Sequence, residues 1–329
     1  MRDAGERDEW TLPSSAGGEL SVTVHRAAGE AAGAASVAVL VHGFGSSAET
    51  NWVRSGWVRR LSAAGVTAVT LDLPGHGRSA APHDAGAYRL PGLVGDVSRV
   101  VAAVPDRVPG VRWVDLVGYS LGARLSAHVA AAIAAGAGVA VRRVVLGGYA
   151  GGPLMVDVDP AHLRELLTGD PRRAEDAWDL AADAVGTLGT AGTVGTMGMV
   201  GAAHPAVRRL AGIARALPGS DAHALLALVE GLVGEGLIRQ DAPVVPQPCL
   251  LVTGADDPVA PGVRRWAQQL PAARLLVVPG RDHISVVPAA LFRSTAIDFL
   301  TGAEPTGDDA GWSGPAGSVE QEPRRPGRA

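Results

Sequence analysis

Three short stretches carry side chains that could act together: Ser120 in "LVGYSLGAR", the acid pair Asp256–Asp257 in "VTGADDPVAP", and His283 in "VPGRDHISVVP". A serine hydroxyl is a poor nucleophile at neutral pH, so it needs a base, and the base needs an orienting group. His283 would take the proton from Ser120 and return it to a leaving group, while an ionised aspartate holds the imidazole tautomer. Gly-x-Ser-x-Gly alone is a weak signal where 44 of 329 residues are glycine, so the surrounding elements have to decide.

Those elements place Ser120 well. "VRWVDLVGYS" reads as a buried strand and "LGARLSAHVAAAIAAG" as a helix stopped by Gly136, so Ser120 falls where a strand turns into a helix. Gly118 and Gly122 leave room for that sharp turn, and the serine would sit on a strained backbone with its hydroxyl presented. "CLLVTG" and "ARLLVV" are further apolar strands, each followed by the loop carrying the acid or the histidine. All three groups therefore meet at the carboxyl edge of one sheet. Upstream, "SVAVLVHG" is another doubly covered strand. The "VHGFG" loop after it supplies backbone amides, with Phe44 and Leu121 N–H as the expected oxyanion donors.

Strand and helix alternate four times before residue 150, as in a parallel, doubly wound α/β sheet. "ELSVTVHRA" reads as a half-exposed strand, residues 1–9 as loose, and Trp52–Ala64 as one helix ended by Gly65. Between residues 151 and 246 the strands stop. Four helical stretches begin near "DPAHLRELLTGD", "PRRAEDAWDLAADA", "HPAVRRLAGIARAL" and "SDAHALLALVEGL". Residues 1–150 and 247–300 are thus expected to form an α/β core, residues 151–246 a helical cap over its carboxyl edge, and residues 301–329 a disordered tail rich in Gly, Pro and charge.

Composition excludes other classes. Net charge −4 gives no reason to expect a nucleic acid or an acidic membrane surface as partner. The uncharged stretch 186–203 is Gly, Thr and Ala rather than Leu or Phe, and reads as cap rather than membrane span. The single cysteine, Cys249, lies inside a strand and fits a reducing, cytoplasmic setting, and "MRDAGERDEW" has no apolar signal core. There is no nucleotide-binding glycine loop and no His set at metal spacing, so no cofactor or metal is expected. Oligomeric state is left open.

"VLVHGFGSS", "LDLPGHGRSAA", "LVGYSLGAR", "LLVTGADDPVAP" and "VPGRDHISVVP" resemble the successive signatures of the α/β-hydrolase superfamily, in its capped serine-hydrolase branch, over roughly residues 10–300. The order Ser, acid, His is that superfamily's order. Its Gly-x-x-Asp frame, here Gly254 to Pro261, favours Asp257 over Asp256, and Asp72 would precede the serine in the wrong order. Ser rather than Asp at position 120 departs from the dehalogenase and epoxide-hydrolase variants, which the resemblance associates with an aspartyl ester intermediate. Up to Arg124 the chain is also similar to the menaquinone-pathway synthases that eliminate pyruvate, although residues 151–246 do not repeat their pattern.

The resemblance implies a cofactor-independent serine hydrolase acting through an acyl-enzyme on a small carboxylic ester or related acyl compound. A pyruvate-eliminating lyase and a non-catalytic binding member of the fold are the alternatives. His42, Gly43, Tyr119 and Arg124 are candidate substrate contacts. Against that, His42 reads as structural or as pocket floor, and Arg124 as a helix-surface residue. His76 reads as ordering its loop, and Trp52, Trp57 and Tyr88 either line the pocket or pack.

Overall fold

The computed structural model describes residues 7–27, 36–134, 139–155, 158–168, 211–212, 221–236, 240–302 and 312–313. Its framework is a nine-stranded sheet: β1 (Arg7–Pro13), β2 (Glu19–His25), β3 (Ser36–Val41), β4 (Val66–Leu71), β5 (Trp113–Tyr119), β6 (Ala140–Gly147), β7 (Cys249–Gly254), β8 (Ala273–Val278) and β9 (Trp312–Ser313). The order across the sheet is β1-β2-β4-β3-β5-β6-β7-β8-β9. Strands β4 through β8 run parallel, while β1, β2 and β9 pair antiparallel at the two ends. β3 lies between β4 and β5, so the chain reverses its winding direction there, which opens a crevice at the strands' carboxyl ends.

Both faces of the parallel strands are covered, which is why their sequences are apolar runs rather than alternations. In β3, Val37, Val39 and Val41 pack on one face and Ala38 and Leu40 on the other. The first face is closed by α2 (Leu90–Arg107) and α3 (Leu121–Ala134), through Leu93, Val97, Val100, Leu125 and Val129. α6 (Val263–Gln269) adds Val263 and Trp266 there. The second face is closed by α1 (Trp57–Ala63) and α7 (Ala290–Thr301), where Trp52, Trp57 and Phe292 stack edge to face. Trp57 also donates its indole N–H to the Val287 carbonyl at 2.9 Å, tying α1 to the segment that follows His283. Trp52, Trp57 and Tyr88 are all fully buried.

Three local expectations are corrected. Residues 7–9 are not loose: they open β1, whose Trp10 pairs with Val22, is buried, and lies under the Arg107 guanidinium. β2 is correspondingly more buried than a half-exposed strand. The single helix expected over 52–64 is two pieces, a π-helical turn at Glu49–Arg54 and α1, separated by Gly56 at φ 84°. Ser55 Oγ, bonded to the Asn51 carbonyl, supports that break.

Between β6 and β7 the described residues hold two helices and no strand: α4 (Pro160–Thr168) and α5 (Ala222–Glu235), the latter N-capped by Asp221. They pack through Leu163, Leu166, Leu225 and Leu228 and an Arg164–Glu230 ion pair. The helix expected at 171–184, the stretch 186–203 and most of the helix near 204–217 lie outside the described residues, as does nearly all of 303–329. No described helix is long and apolar enough to cross a membrane.

Candidate active site

Ser120 follows β5 directly, and α3 begins at the next residue. Its φ is +53°, a left-handed value that otherwise occurs at only one non-glycine residue among those described, and that costs about 1–3 kcal/mol. The strain is held by two main-chain bonds: Ser120 N–H to the Gly147 carbonyl at 2.8 Å, and Arg124 N–H to the Ser120 carbonyl at 3.1 Å. The flanking glycines are dictated by close approach. A β carbon on Gly118 would lie 2.5 Å from the Gly122 carbonyl oxygen, and one on Gly122 would lie 2.1 Å from that of Val41. Helix α3 is thereby seated against the end of β3 as well as β5.

The three expected groups are brought together. His283 Nε2 lies 3.0 Å from Ser120 Oγ, and its Nδ1 lies 2.9 and 3.1 Å from the two oxygens of Asp257. An acceptor carboxylate at Nδ1 leaves the Nε2 lone pair facing the serine hydroxyl, the tautomer a base requires. Asp257 is fixed in turn by Val259 N–H, at 2.8 Å from Oδ1, and stands 3.4 Å from the Thr253 hydroxyl. Asp256 is exposed, and among the described residues only its main-chain N–H is engaged, on the Arg281 carbonyl, so of the two acids it is Asp257 that lies against His283. Asp257 and His283 are both buried, which strengthens the electrostatics of their contact.

The loop after β3 lies against Ser120: a β carbon on Gly43 would be 3.2 Å from Ser120 Cβ. Among the described residues the N–H groups of Phe44 and Leu121 donate to no other group; Leu121 directly follows Ser120, and Phe44 directly follows Gly43. This loop is held from behind by two buried histidines. His42 Nε2 accepts Leu73 N–H at 3.0 Å while its Nδ1–H donates to the Gly43 carbonyl at 2.8 Å. His76 Nε2 accepts Gly45 N–H at 2.9 Å while its Nδ1–H donates to the Pro74 carbonyl at 3.0 Å. Accepting at one nitrogen and donating at the other requires neutral rings. Burial lowers His42 to about 4 and His76 to about 3. Asp72 braces the same region, accepting Ala48 N–H and Arg78 N–H.

The expected substrate contacts divide. Gly43 faces Ser120, but His42 is fully buried with both nitrogens engaged, so its side chain holds the loop. Arg124 is not on the helix surface. It is fully buried, with its guanidinium on the Tyr149 hydroxyl at 2.7 Å and the Gly152 carbonyl at 3.2 Å, where the chain leaves the sheet after β6. Tyr119 is buried and donates its hydroxyl to the His283 carbonyl. Sequence inspection missed that bond and the part of Gly147–Gly148 in making room for it. The paired glycines closing "VVLGG" at the end of β6 were the available signal. Cys249 is buried in β7, and burial raises its thiol pKa. No cluster of three or more His, Cys, Asp or Glu among the described residues could hold a metal ion.

A family model described as the alpha/beta hydrolase family matches residues 38–293. None of the curated proteins matches. Among solved structures, the enol-lactonase from Burkholderia xenovorans LB400 superposes with TM-score 0.59 at 24% identity, covering 86% of this chain and 97% of that one. The bottromycin epimerase BotH, solved in complex with bottromycin A2, gives 0.59 at 20% identity, covering 90% and 98%. The epoxide hydrolase VrEH1 from Vigna radiata gives 0.57 at 20% identity, covering 90% and 98%.

Proposed function

The chain belongs to the alpha/beta hydrolase family, and from that premise we propose that it is a serine hydrolase cleaving a small carboxylic ester or related acyl substrate. The observation that carries this is the continuous chain Ser120 Oγ–His283 Nε2, His283 Nδ1–Asp257, on a nucleophile held at φ +53°. The epoxide hydrolase and the epimerase share the fold with this chain; at their identity they support no more than that.

The steps follow from the geometry. Ser120 Oγ attacks the substrate carbonyl carbon as its proton passes to His283 Nε2. The imidazolium so formed is stabilised by Asp257, which stays ionised. Negative charge gathers on the former carbonyl oxygen, between the Phe44 and Leu121 N–H groups. Each such donor is worth roughly 2.7–4 kcal/mol in the transition state. Collapse expels the leaving alkoxide with the proton from His283 and leaves Ser120 acylated. Water, deprotonated by the same histidine, then attacks the acyl carbon, and Ser120 is released with the acid product.

Residues 151–246 are part of the same proposal, as the cap that lies over the carboxyl edge and selects the acyl group. A small-molecule acyl substrate, no nucleic-acid or membrane partner, no cofactor and a cytoplasmic setting complete it. The test is hydrolysis of short p-nitrophenyl esters together with labelling by a fluorophosphonate. Wild type should turn over and label, and Ser120→Ala should lose both. Full turnover in Ser120→Ala would sink the proposal. A folded wild type that neither turns over nor labels would leave a binding protein built on the fold.

A further inference from the structure

The Tyr119 side chain is buried inside the candidate site. It is enclosed on three sides. A β carbon on Gly43 would lie 3.6 Å from its Cδ1, one on Gly147 2.8 Å from its Cδ2, and one on Gly148 2.7 Å from its Cζ and hydroxyl. On the fourth side its ring packs against the His283 imidazole, centroids 5.3 Å apart and planes at 43°. Its hydroxyl donates to the main-chain carbonyl of His283. Burial raises the pKa of that hydroxyl well above the ordinary tyrosine value, so it remains a donor throughout the working range.

We infer that Tyr119 is a positioning residue for His283, fixing the base from the residue adjacent to the nucleophile. Asp257 controls the rotation and tautomer of the imidazole but does nothing to fix the main chain from which the ring hangs. That main chain lies between β8 and α7, and just before His283 it turns at Asp282, whose carboxylate accepts the Ile284 and Ser285 N–H groups. Tyr119 supplies the missing restraint. Its own main chain is the last residue of β5, so the bond from Tyr119 to His283 sets the distance between the strand that aims Ser120 and the loop that aims the base. Gly147 and Gly148 are the counterpart, because any side chain there would occupy the space of the phenol. At Gly148 a β carbon would also come within 2.9 Å of His283 Cε1.

The inference rests on the proposed triad, and its test separates the two. Tyr119→Phe keeps the ring and removes only the hydroxyl, so the fold should be retained, with an unchanged circular dichroism spectrum. Displacement of the base should lower kcat on a p-nitrophenyl ester about tenfold, with KM within about twofold of wild type. Fluorophosphonate labelling should slow in parallel. Gly148→Ala approaches the same contact from the opposite side and should also depress kcat.

A Tyr119→Phe enzyme with raised KM and full kcat would overturn the inference in favour of a substrate contact. Unchanged kcat and KM would overturn it in favour of plain packing. Ser120→Ala is run alongside. If it is inactive while Tyr119→Phe is unimpaired, only the inference fails. If Ser120→Ala is fully active, the triad fails and the inference with it.

Discussion

Acidification should destabilise this protein well before its carboxylates titrate, and the two buried histidines behind the loop after β3 make a large part of the effect. His42 and His76 have folded values of about 4 and about 3, below the ~6.5 of an unfolded histidine. The unfolded chain therefore binds more protons than the native one between those values, and stability falls as pH falls. At pH 5 each unfolded imidazole is largely protonated while its folded counterpart is not, a loss of about 2 kcal/mol per residue relative to pH 7 and roughly 4 together. The loss at pH 5 is set by the unfolded imidazole and hardly by how far below 5 the folded value lies. His25, buried in β2 against Thr70 and lowered to about 4, acts in the same direction. Asp115, raised by burial despite Arg142, acts in the opposite one. Thermal unfolding followed by circular dichroism should show the midpoint fall by about 8–16 °C from pH 7 to pH 5. In His76→Gln, whose amide can accept from Gly45 and donate to Pro74 without titrating, the fall should shrink by roughly a quarter to a third, since His25, His42 and His128, each lowered to about 4, still contribute. A midpoint that does not move between pH 7 and 5, or moves fully in His76→Gln, would refute the assignment.

The remaining expectations concern the site directly. Asp257→Asn should lower kcat about 10⁴-fold through the wrong imidazole tautomer, while Asp256→Asn, whose carboxylate is exposed, should stay within about twofold; equal losses in the two would reverse the assignment of the acid. Gly122→Ala drives a β carbon into the Val41 carbonyl and should destabilise by at least about 2 kcal/mol, read as a lower urea midpoint with unchanged slope.

What was legible in the sequence was whatever strand ends control. Ser120, Asp257 and His283 each follow a largely apolar strand, and such runs identify doubly covered strands whose carboxyl ends converge. The π-helical turn before Gly56 was not legible, because Asn51, Trp52 and Val53 fit a helix equally well and the break goes with the Ser55–Asn51 bond, the positive φ of Gly56 and the packing of Trp52 against Trp57. β1 was missed because "RDEWTLP" has one buried anchor, Trp10, and its pairing with β2 is a tertiary choice. Arg124 was misjudged for a related reason. Its helix position is neutral in sequence, and its burial depends on Tyr149 and Gly152, which belong to the loop leaving β6.

The same distinction explains the inner order of the site. Side chains that do chemistry can be recognised by type, since few residues serve as nucleophile, base or orienter. Those that hold them can be recognised only by partner. Ser120 keeps a strained φ because the Gly147 carbonyl and the Arg124 amide take up its main-chain groups. The loop carrying the Phe44 N–H is held in place at the next amide, where Gly45 donates to His76. His283 keeps its place because Asp257 and Tyr119 hold opposite ends of it. Every one of these restraints bridges segments more than 20 residues apart or different elements of the sheet, apart from the Arg124 amide itself. Preorganisation of this kind lowers the barrier only if the restraints are in place before substrate arrives, and here they are formed by the fold's own main-chain and side-chain bonds.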